Sequence, residues 1–350
     1  MSKTAQGNFF EDFALGQELV HGIPRTITRG DTALYLALTG ARQVVHCSDD
    51  FARANGYPRS PVDDLLTFHI VFGKSVPDIS LNAVANLGYA EGRFLAPVYT
   101  GDTLTARSEV IGLKENSNGR TGTVYVRTRG FRGHEPVLEY ARWVMVRKRD
   151  AASPAPAPIR PELKAALTVD DLVVPTGLHA VPDPEGLAGG RWRFEDYAIG
   201  ERIDHVDGMT VEEAEHRLAT RLYQNTARVH FNDHTERAGR FGKCIVYGGH
   251  VISLARGLAW NGLETMLAIV GINGGTHCNP CFAGDTVYAW SEVLDARTLP
   301  GRDDVGALRL RLVAAKDHAC ADFPLRTPDG RYRPEVLLDF DYWALLPRRP

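Results

Sequence analysis

Two histidines in closely matching surroundings are the first candidates for proton-transfer chemistry. His46 lies in VHCSDDFARA and His230 lies in VHFNDHTERA, and the two stand 184 residues apart. Histidine titrates near neutral pH, so it can serve as a general acid or base. A single histidine is more often a hydrogen-bonded structural residue than a catalyst. It is the repetition of the whole stretch that singles out this pair.

A Cys-x-x-Cys pair suggests a different chemistry. Cys278 and Cys281 enclose Asn-Pro, a spacing that also occurs in redox and metal half-sites. At an offset of 183 residues they correspond to Leu95 and Val98, which are apolar, and no second Cys-x-x-Cys completes a zinc site. We therefore interpret both cysteines as small buried residues of a strand, and we expect neither a metal nor a redox cofactor.

The same offsets recur along the chain. FEDFALGQEL at 10–19 matches FEDYAIGERI at 194–203, and GDTLTARSEV at 101–110 matches GDTVYAWSEV at 284–293. A period this long exceeds any solenoid repeat and indicates a duplicated domain. Two domains also suit a chain of 350 residues.

Proline, alanine and glycine concentrate between the two copies. DAASPAPAPIRP at 150–161 favours an extended, semi-rigid linker, and a second Pro- and Gly-rich spacer precedes the second copy. The sequence thus predicts an N-terminal domain at 1–150, a linker at 151–190 and a C-terminal domain at 191–350.

Composition excludes several functional classes. The formal net charge is −3, so the chain has no overall field for binding nucleic acid or an anionic membrane. No apolar run reaches the roughly 18 residues of a transmembrane helix, and the first residues lack the apolar core of a signal peptide. We expect a cytoplasmic protein with neither nucleic acid nor membrane as a partner.

Each copy shows one helical segment followed by alternating strands. In the second copy, apolar residues recur at helical spacing from Val251 to Leu258, and Gly248 and Gly249 mark the start of the helix. Segments such as TVYVRTRG and ALRLRLVAAK alternate as strands do. The pattern predicts an α+β fold in which an antiparallel sheet wraps a long central helix.

These motifs resemble the MaoC-like branch of hotdog-fold proteins, the (R)-specific enoyl-CoA hydratases. The resemblance is carried by FGKCIVYGGHVISLA after His230 and by RFLAPVYTGDTL at 93–104, and the duplication is similar to that of double-hotdog members. It implies a tandem hotdog fold and a lyase that acts on an acyl-CoA. The substrate that it implies is mesaconyl-CoA, hydrated reversibly to β-methylmalyl-CoA during acetate assimilation through the ethylmalonyl-CoA route.

The resemblance also implies which residues would be catalytic, and here both copies depart from the family. The family pattern places an Asp five residues before its His, but Asn225 stands there before His230 and Ala41 before His46. Asn can orient a water molecule but cannot take a proton. Either His230 carries the protons with Asn225 positioning the water, or a carboxylate from elsewhere replaces the base. Asp31, Asp63 and Asp64 are the candidates for that second alternative.

The two helix starts assign different roles to the copies. Backbone N–H groups at a helix N-terminus can bind an enolate oxygen, and Gly248 and Gly249 allow a ligand to approach them. The first copy has Asp63 and Asp64 at the aligned positions, where a carboxylate would oppose an enolate. We therefore place the chemistry mainly in the second copy, with His46 as the rival to the second histidine.

Basic residues near the histidines suit the charges of a dicarboxylic acyl-CoA. Arg42 and Arg228 precede the two histidines closely and are the candidates for binding the free carboxylate. Arg237, Arg240 and Lys243 form a local basic group for the phosphates of CoA. Surface solvation is the competing interpretation for all five residues.

Three other functions remain open at this point: a hydratase of another enoyl-CoA, a hotdog acyl-CoA thioesterase, and a non-catalytic acyl-CoA-binding module. The missing Asp keeps the thioesterase under consideration, whereas the Gly-Gly-His helix start favours a hydratase. The sequence leaves open whether the fused units associate further into a homo-oligomer.

Overall fold

The computed structural model of the chain describes residues 3–183 and 186–349. Residues 184 and 185 of the predicted linker, and the terminal residues 1, 2 and 350, lie outside the described residues. Within the described part, ten strands form a single antiparallel sheet, and seven α-helices accompany it.

The elements of the first half precede residue 150. Its strands are β1 (Glu18–Thr26), β2 (Ala83–Phe94), β3 (Thr103–Glu115), β4 (Thr121–Arg132) and β5 (Glu135–Arg147). Its helices are α1 (Arg29–Thr39), α2 (Val44–Cys47), α3 (Asp49–Ala54) and α4 (Asp64–Ser75), and a π-helical turn (Val76–Ser80) follows α4.

The second half repeats this order from residue 194 onwards. Its strands are β6 (Arg202–Thr210), β7 (Ala268–His277), β8 (Thr286–Thr298), β9 (Val305–Lys316) and β10 (Val336–Pro347). Its helices are α5 (Glu213–Leu222), α6 (Asp233–Glu236) and α7 (Gly248–Leu258), with 3₁₀ turns at Phe194–Asp196, Arg228–His230 and Cys320–Asp322.

The sheet shows the duplication directly. The strand order is β1-β3-β4-β5-β2-β7-β10-β9-β8-β6, so the second half mirrors the first. The halves meet where β2 pairs with β7, through Gly92 with Ile272 and Arg93 with Gly271. The predicted α+β fold, a tandem hotdog with an antiparallel sheet around each central helix, is confirmed.

The central helices α4 and α7 are the most buried elements of the chain. Every residue of α4 from Leu65 to Ser75 is buried, and α7 is buried from Gly249 onwards. The apolar stripe predicted at Val251–Leu258 lies in the main hydrophobic core. The halves also share a hydrogen-bonded contact, since the Ser253 hydroxyl accepts from Tyr35 Oη at 2.9 Å and lies 2.8 Å from His69 Nε2.

One glycine in each central helix lets that helix pack against the backbone of the opposite half. A Cβ atom on Gly73 of α4 would overlap the carbonyl oxygen of Tyr223, and it would come within 3.2 Å of the backbone nitrogen of Asn225. A Cβ atom on Gly257 of α7 would likewise overlap the carbonyl oxygen of Thr39. Helix-to-backbone contacts this close require glycine.

The segment between the halves is partly packed. Ile159 forms a bridge with Leu113 of β3, and Leu167 and Leu178 are buried. The indole nitrogen of Trp343 donates to the Leu167 carbonyl at 3.1 Å. The segment therefore follows the surface of both halves and contributes apolar side chains to their core.

Cys278 and Cys281 lie in the loop between β7 and β8, so the expectation that they belong to a strand was wrong. Both thiols are free, and burial raises the pKa of each to about 12. Within residues 3–183 and 186–349, no group of His, Cys, Asp and Glu side chains is arranged to hold a metal ion. In that same part of the chain, no helix has both the length and the apolar character of a membrane span.

The glycine contacts predict that replacing Gly by Ala in these helices lowers the stability of the protein, the opposite of its usual effect in a helix. Ala normally stabilises a helix by about 1 kcal/mol over Gly. We expect Gly73→Ala and Gly257→Ala each to destabilise by about 2 kcal/mol or more, because the new methyl group must displace backbone. Gly30→Ala in α1 meets only a side-chain oxygen at 3.5 Å and is the matched control. Urea unfolding of the three variants measures the difference, and equal midpoints would contradict the packing argument.

Candidate active site

A cavity with a volume of about 350 Å³ lies between the two halves. The first half contributes the end of α4, the turn after it, β2 and β5. The second half contributes the 3₁₀ turn at Arg228–His230, the start of α7 and the loop after β7. The lining residues include Phe72, Ser80, Asn86, Tyr89, Arg142, Asn225, His230, Arg240, Tyr247, Gly248 and His277.

His230 is held as a neutral imidazole in this wall. Its Nδ1 lies 3.0 Å from the carbonyl oxygen of Ile245, which can only accept, so Nδ1 carries the proton. Burial lowers the pKa of His230 to about 4, and this lowering outweighs the effect of the carbonyl contact. The remaining nitrogen, Nε2, therefore has a free lone pair at neutral pH, as a general base requires.

Asn225 lies in the same wall, and no Asp or Glu is among the described residues that line the cavity. The Asn225 side-chain oxygen accepts from the Ala227 backbone N–H at 3.0 Å, which fixes the turn that leads to His230. This arrangement supports the first sequence alternative, in which an amide accompanies the histidine.

The three candidate carboxylates all have structural partners elsewhere. The Asp31 carboxylate accepts from the Thr28 backbone N–H at 2.8 Å in the capping box of α1, and it lies 2.6 Å from Arg25. Asp63 caps α4 by accepting from the Leu65 N–H at 2.9 Å. Asp64 accepts from the Ile269 N–H at 2.8 Å. None of them borders the cavity of His230, so the expectation of a replacement carboxylate receives no support from the geometry.

The start of α7 borders this cavity through Gly248. The N–H groups of His250 and Val251 bond to the Tyr247 carbonyl, and those of Gly248 and Gly249 precede the first intrahelical partner. A Cβ atom on Gly248 would overlap the ring of His277, and one on Gly249 would overlap the ring of Tyr247. The two glycines thus let these aromatic rings pack against the start of the helix, and Gly248 lines the cavity.

The first half keeps the histidine but lacks the space. His46 Nδ1 lies 3.1 Å from the Pro61 carbonyl, the same contact that His230 makes with its own carbonyl partner. The surrounding cavity measures only about 20 Å³, with Tyr57 and Pro175 in its wall. Asp64 occupies the helix start, and burial raises its pKa to about 6. The room for a substrate therefore lies at His230 and not at His46.

Four further residues of the cavity wall were not singled out from the sequence: His277, Tyr89, Tyr247 and Arg142. His277 ends β7 and lies 3.2 Å from the Tyr89 hydroxyl, and burial lowers its pKa to about 4. Tyr247 has a buried hydroxyl without a hydrogen-bond partner, and burial raises its pKa well above the ordinary value. The fourth residue, Arg142, is fully buried in β5. The sequence did contain one sign of Arg142, because this arginine stands at a position of β5 where the alternating pattern calls for an apolar residue.

The predicted basic residues separate into two groups. The Arg42 guanidinium stacks 4.1 Å from the Trp260 ring, and neither it nor exposed Arg228 lines the cavity. Of the group expected to bind phosphate, exposed Arg240 borders the cavity, and Lys243 packs 4.3 Å from the Phe282 ring nearby. Arg237 is exposed and does not line the cavity. The structure thus gathers Asn225, His230, Gly248 and Arg240, and leaves both proposed carboxylate-binding arginines outside.

Comparison with known proteins covers nearly the whole chain. The family model for mesaconyl-CoA hydratase matches residues 2–323. The mesaconyl-CoA hydratase of Cereibacter sphaeroides is 62% identical over 349 residues, which cover 99% of this chain and 100% of that protein. The β-methylmalyl-CoA dehydratase of Chloroflexus aurantiacus is 60% identical over 349 residues, 99% of each chain.

Solved structures agree with this relationship. A MaoC domain protein dehydratase from Chloroflexus aurantiacus superposes with a TM-score of 0.98 at 60% identity, over 100% of both chains. A Mycobacterium tuberculosis protein described as a double hotdog superposes with a TM-score of 0.73 at 25% identity, over 98% of this chain and 99% of its own.

The cavity geometry, the mirrored sheet and these full-length matches point to the same assignment. High identity extends across both halves and includes the segment between them. The chain belongs to the mesaconyl-CoA hydratase family, hydro-lyases built on the MaoC-like double hotdog fold.

Proposed function

We propose that this chain catalyses the reversible addition of water to mesaconyl-CoA, giving β-methylmalyl-CoA, with His230 as its proton carrier. The observation that carries the proposal is a neutral buried histidine on the same cavity as the start of α7. Water addition to an α,β-unsaturated thioester needs a base near the β-carbon and donors near the thioester oxygen.

The described groups divide the steps of this addition among them. The Asn225 amide positions a water molecule, and His230 Nε2 takes one of its protons as the oxygen bonds to the β-carbon. The electron pair of the double bond moves to the thioester oxygen, and the N–H groups of Gly248 and Gly249 stabilise the resulting enolate. His230 then returns the proton to the α-carbon, which restores the neutral imidazole. The substrate thereby gains one water molecule, with the hydroxyl group on the β-carbon and the proton on the α-carbon.

The outer end of the cavity suits the CoA moiety. Arg240 is exposed there, and Lys243 lies on the neighbouring surface. Phosphate groups are bound by cations of this kind without a dedicated deep pocket. We place the nucleotide end of the substrate against these two residues and the acyl end inside the cavity.

The low pKa of His230 predicts the pH dependence of turnover. Only the neutral imidazole can accept a proton, so activity is lost as the pH falls through the pKa of His230 in the folded enzyme. That value is about 4, whereas an unperturbed histidine titrates near 6.5. We expect kcat/KM for mesaconyl-CoA to stay level from pH 8 to below pH 6. Initial rates on folded protein test this, and an acid limb centred near pH 6.5 would contradict it.

The unequal cavities predict unequal effects of the two histidines. His230→Ala removes the general base and should lower kcat by about 1,000-fold, within the range for such groups. His46→Ala should retain most of the activity, because the cavity at His46 has a volume of only about 20 Å³. Loss of enoyl absorbance and gain of one water by mass give the rates. Equal loss in both variants would overturn the assignment of chemistry to the second half, and release of free CoA would indicate a thioesterase.

A further inference from the structure

A fully buried arginine lies in the wall of the active-site cavity. Arg142 is on β5, where Leu138, Tyr140, Val144 and Val146 share its inward phase and are buried. Its side chain has 0% exposure, so an anion can reach it only through the cavity. A charged group in an apolar strand is costly to bury unless something compensates for it.

No carboxylate compensates for Arg142 within the described residues. Its Nη2 donates to Ser75 Oγ at 2.8 Å, and both terminal nitrogens make long contacts with Ser80 Oγ at 3.4 and 3.5 Å. Nη1 lies 3.5 Å from Asn86 Oδ1, and the guanidinium is 4.3 Å from the Phe72 ring. All of these partners are neutral, and the positive charge is left unpaired.

Two nitrogen donors beside the guanidinium are without acceptors. Arg142 Nε has no hydrogen-bond partner, and neither has Asn86 Nδ2. Because Asn86 Oδ1 is turned toward the guanidinium, its NH₂ group is the half of the amide left over. Unused N–H groups on a buried cation and an adjacent amide fit a carboxylate, which accepts but cannot donate.

The position of this pair complements the catalytic group. A series of ring contacts connects the two: the guanidinium of Arg142 packs on the Phe72 ring, the Phe72 and Tyr247 ring centroids are 5.7 Å apart, and the Tyr247 and His230 ring centroids are 5.5 Å apart. Arg142 and Arg240 are the arginines of the cavity wall, and one is buried whereas the other is exposed. A ligand with an anionic group at each end, one of them on its short acyl chain, matches this arrangement.

We propose that Arg142 and Asn86 form the subsite for the free carboxylate of a dicarboxylic acyl-CoA. This inference rests on the proposed function and names what selects its substrate, in place of Arg42 and Arg228. In mesaconyl-CoA the carboxylate is attached to the carbon that water attacks. Pairing it with a guanidinium holds that carbon in place and offsets the charge that would repel an incoming hydroxyl oxygen.

Two substrates isolate the carboxylate. Tiglyl-CoA is mesaconyl-CoA with the carboxylate replaced by a methyl group, so the ratio of kcat/KM for the two measures carboxylate recognition. We expect Arg142→Met to lower this ratio by about 100-fold, the scale for losing a buried charge-assisted contact, while the rate with tiglyl-CoA changes little. Arg142→Lys keeps the charge without the planar fork and should fall in between.

Further variants separate recognition from folding. Arg256→Met removes another buried arginine, which forms no salt bridge within the described residues and lies outside the cavity lining, so it controls for loss of a buried cation. It should leave the substrate ratio unchanged even if it lowers stability. Asn86→Ala, on the half-buried part of β2, should reduce the ratio by about 10-fold. If Arg142→Met does not fold, the substrate ratio of Asn86→Ala tests the carboxylate subsite instead.

Binding of saturated ligands keeps this inference distinct from the proposed function. Calorimetry with 2-methylsuccinyl-CoA and 2-methylbutyryl-CoA, which cannot be hydrated, should show tighter binding of the dicarboxylic ligand in the unmodified enzyme and equal binding in Arg142→Met. Preference for the dicarboxylic ligand without hydration of mesaconyl-CoA would overturn the function and leave the subsite standing. Hydration with a substrate ratio unaffected by Arg142→Met and Asn86→Ala would overturn the subsite alone.

Discussion

The structure depends on the close contact between each central helix and the backbone of the opposite half. Gly73 lets α4 approach the Tyr223 carbonyl and the Asn225 backbone nitrogen without a side chain in between. The residue before it, Phe72, lines the cavity, so this packing contact helps to set the distance between the two walls. Gly257 makes the matching contact with the Thr39 carbonyl, whereas the strands β2 and β7 pair over only two positions.

Burial then determines how the charges of the site behave. His230 and His277 are neutral because the protein around them disfavours the imidazolium form. Arg142 remains a cation, although burial lowers its pKa from the ordinary value, because a guanidinium is never deprotonated under physiological conditions. Neutral histidines and a permanently charged arginine thus lie in the wall of one cavity. This combination suits an anionic substrate that must be attacked by water.

Much of the fold could be predicted from the sequence, whereas the site could be predicted only in part. The repeat and the helical stripe after Gly248 depend on local order along the chain, and they were confirmed. Arg142 was missed because its place in the cavity depends on β2 and β5 lying next to α7 across the halves, which no local pattern reports. Arg42 shows the same limit of local order: it stacks on Trp260, and its closeness in sequence to His46 does not place it in the cavity of His230.

The mirrored sheet has a genetic consequence. Arg142 pairs with Val126 of β4, and its counterpart Tyr342 pairs with Leu310 of β9 at the equivalent register. In a symmetric homodimer every substitution appears twice, so an arginine that serves one site would also be imposed on the other. Fusion of the two copies frees them to diverge, and one wall can carry a cation while its twin carries a phenol. A tandem gene can therefore encode two different walls, whereas a homodimer of a single-copy subunit cannot.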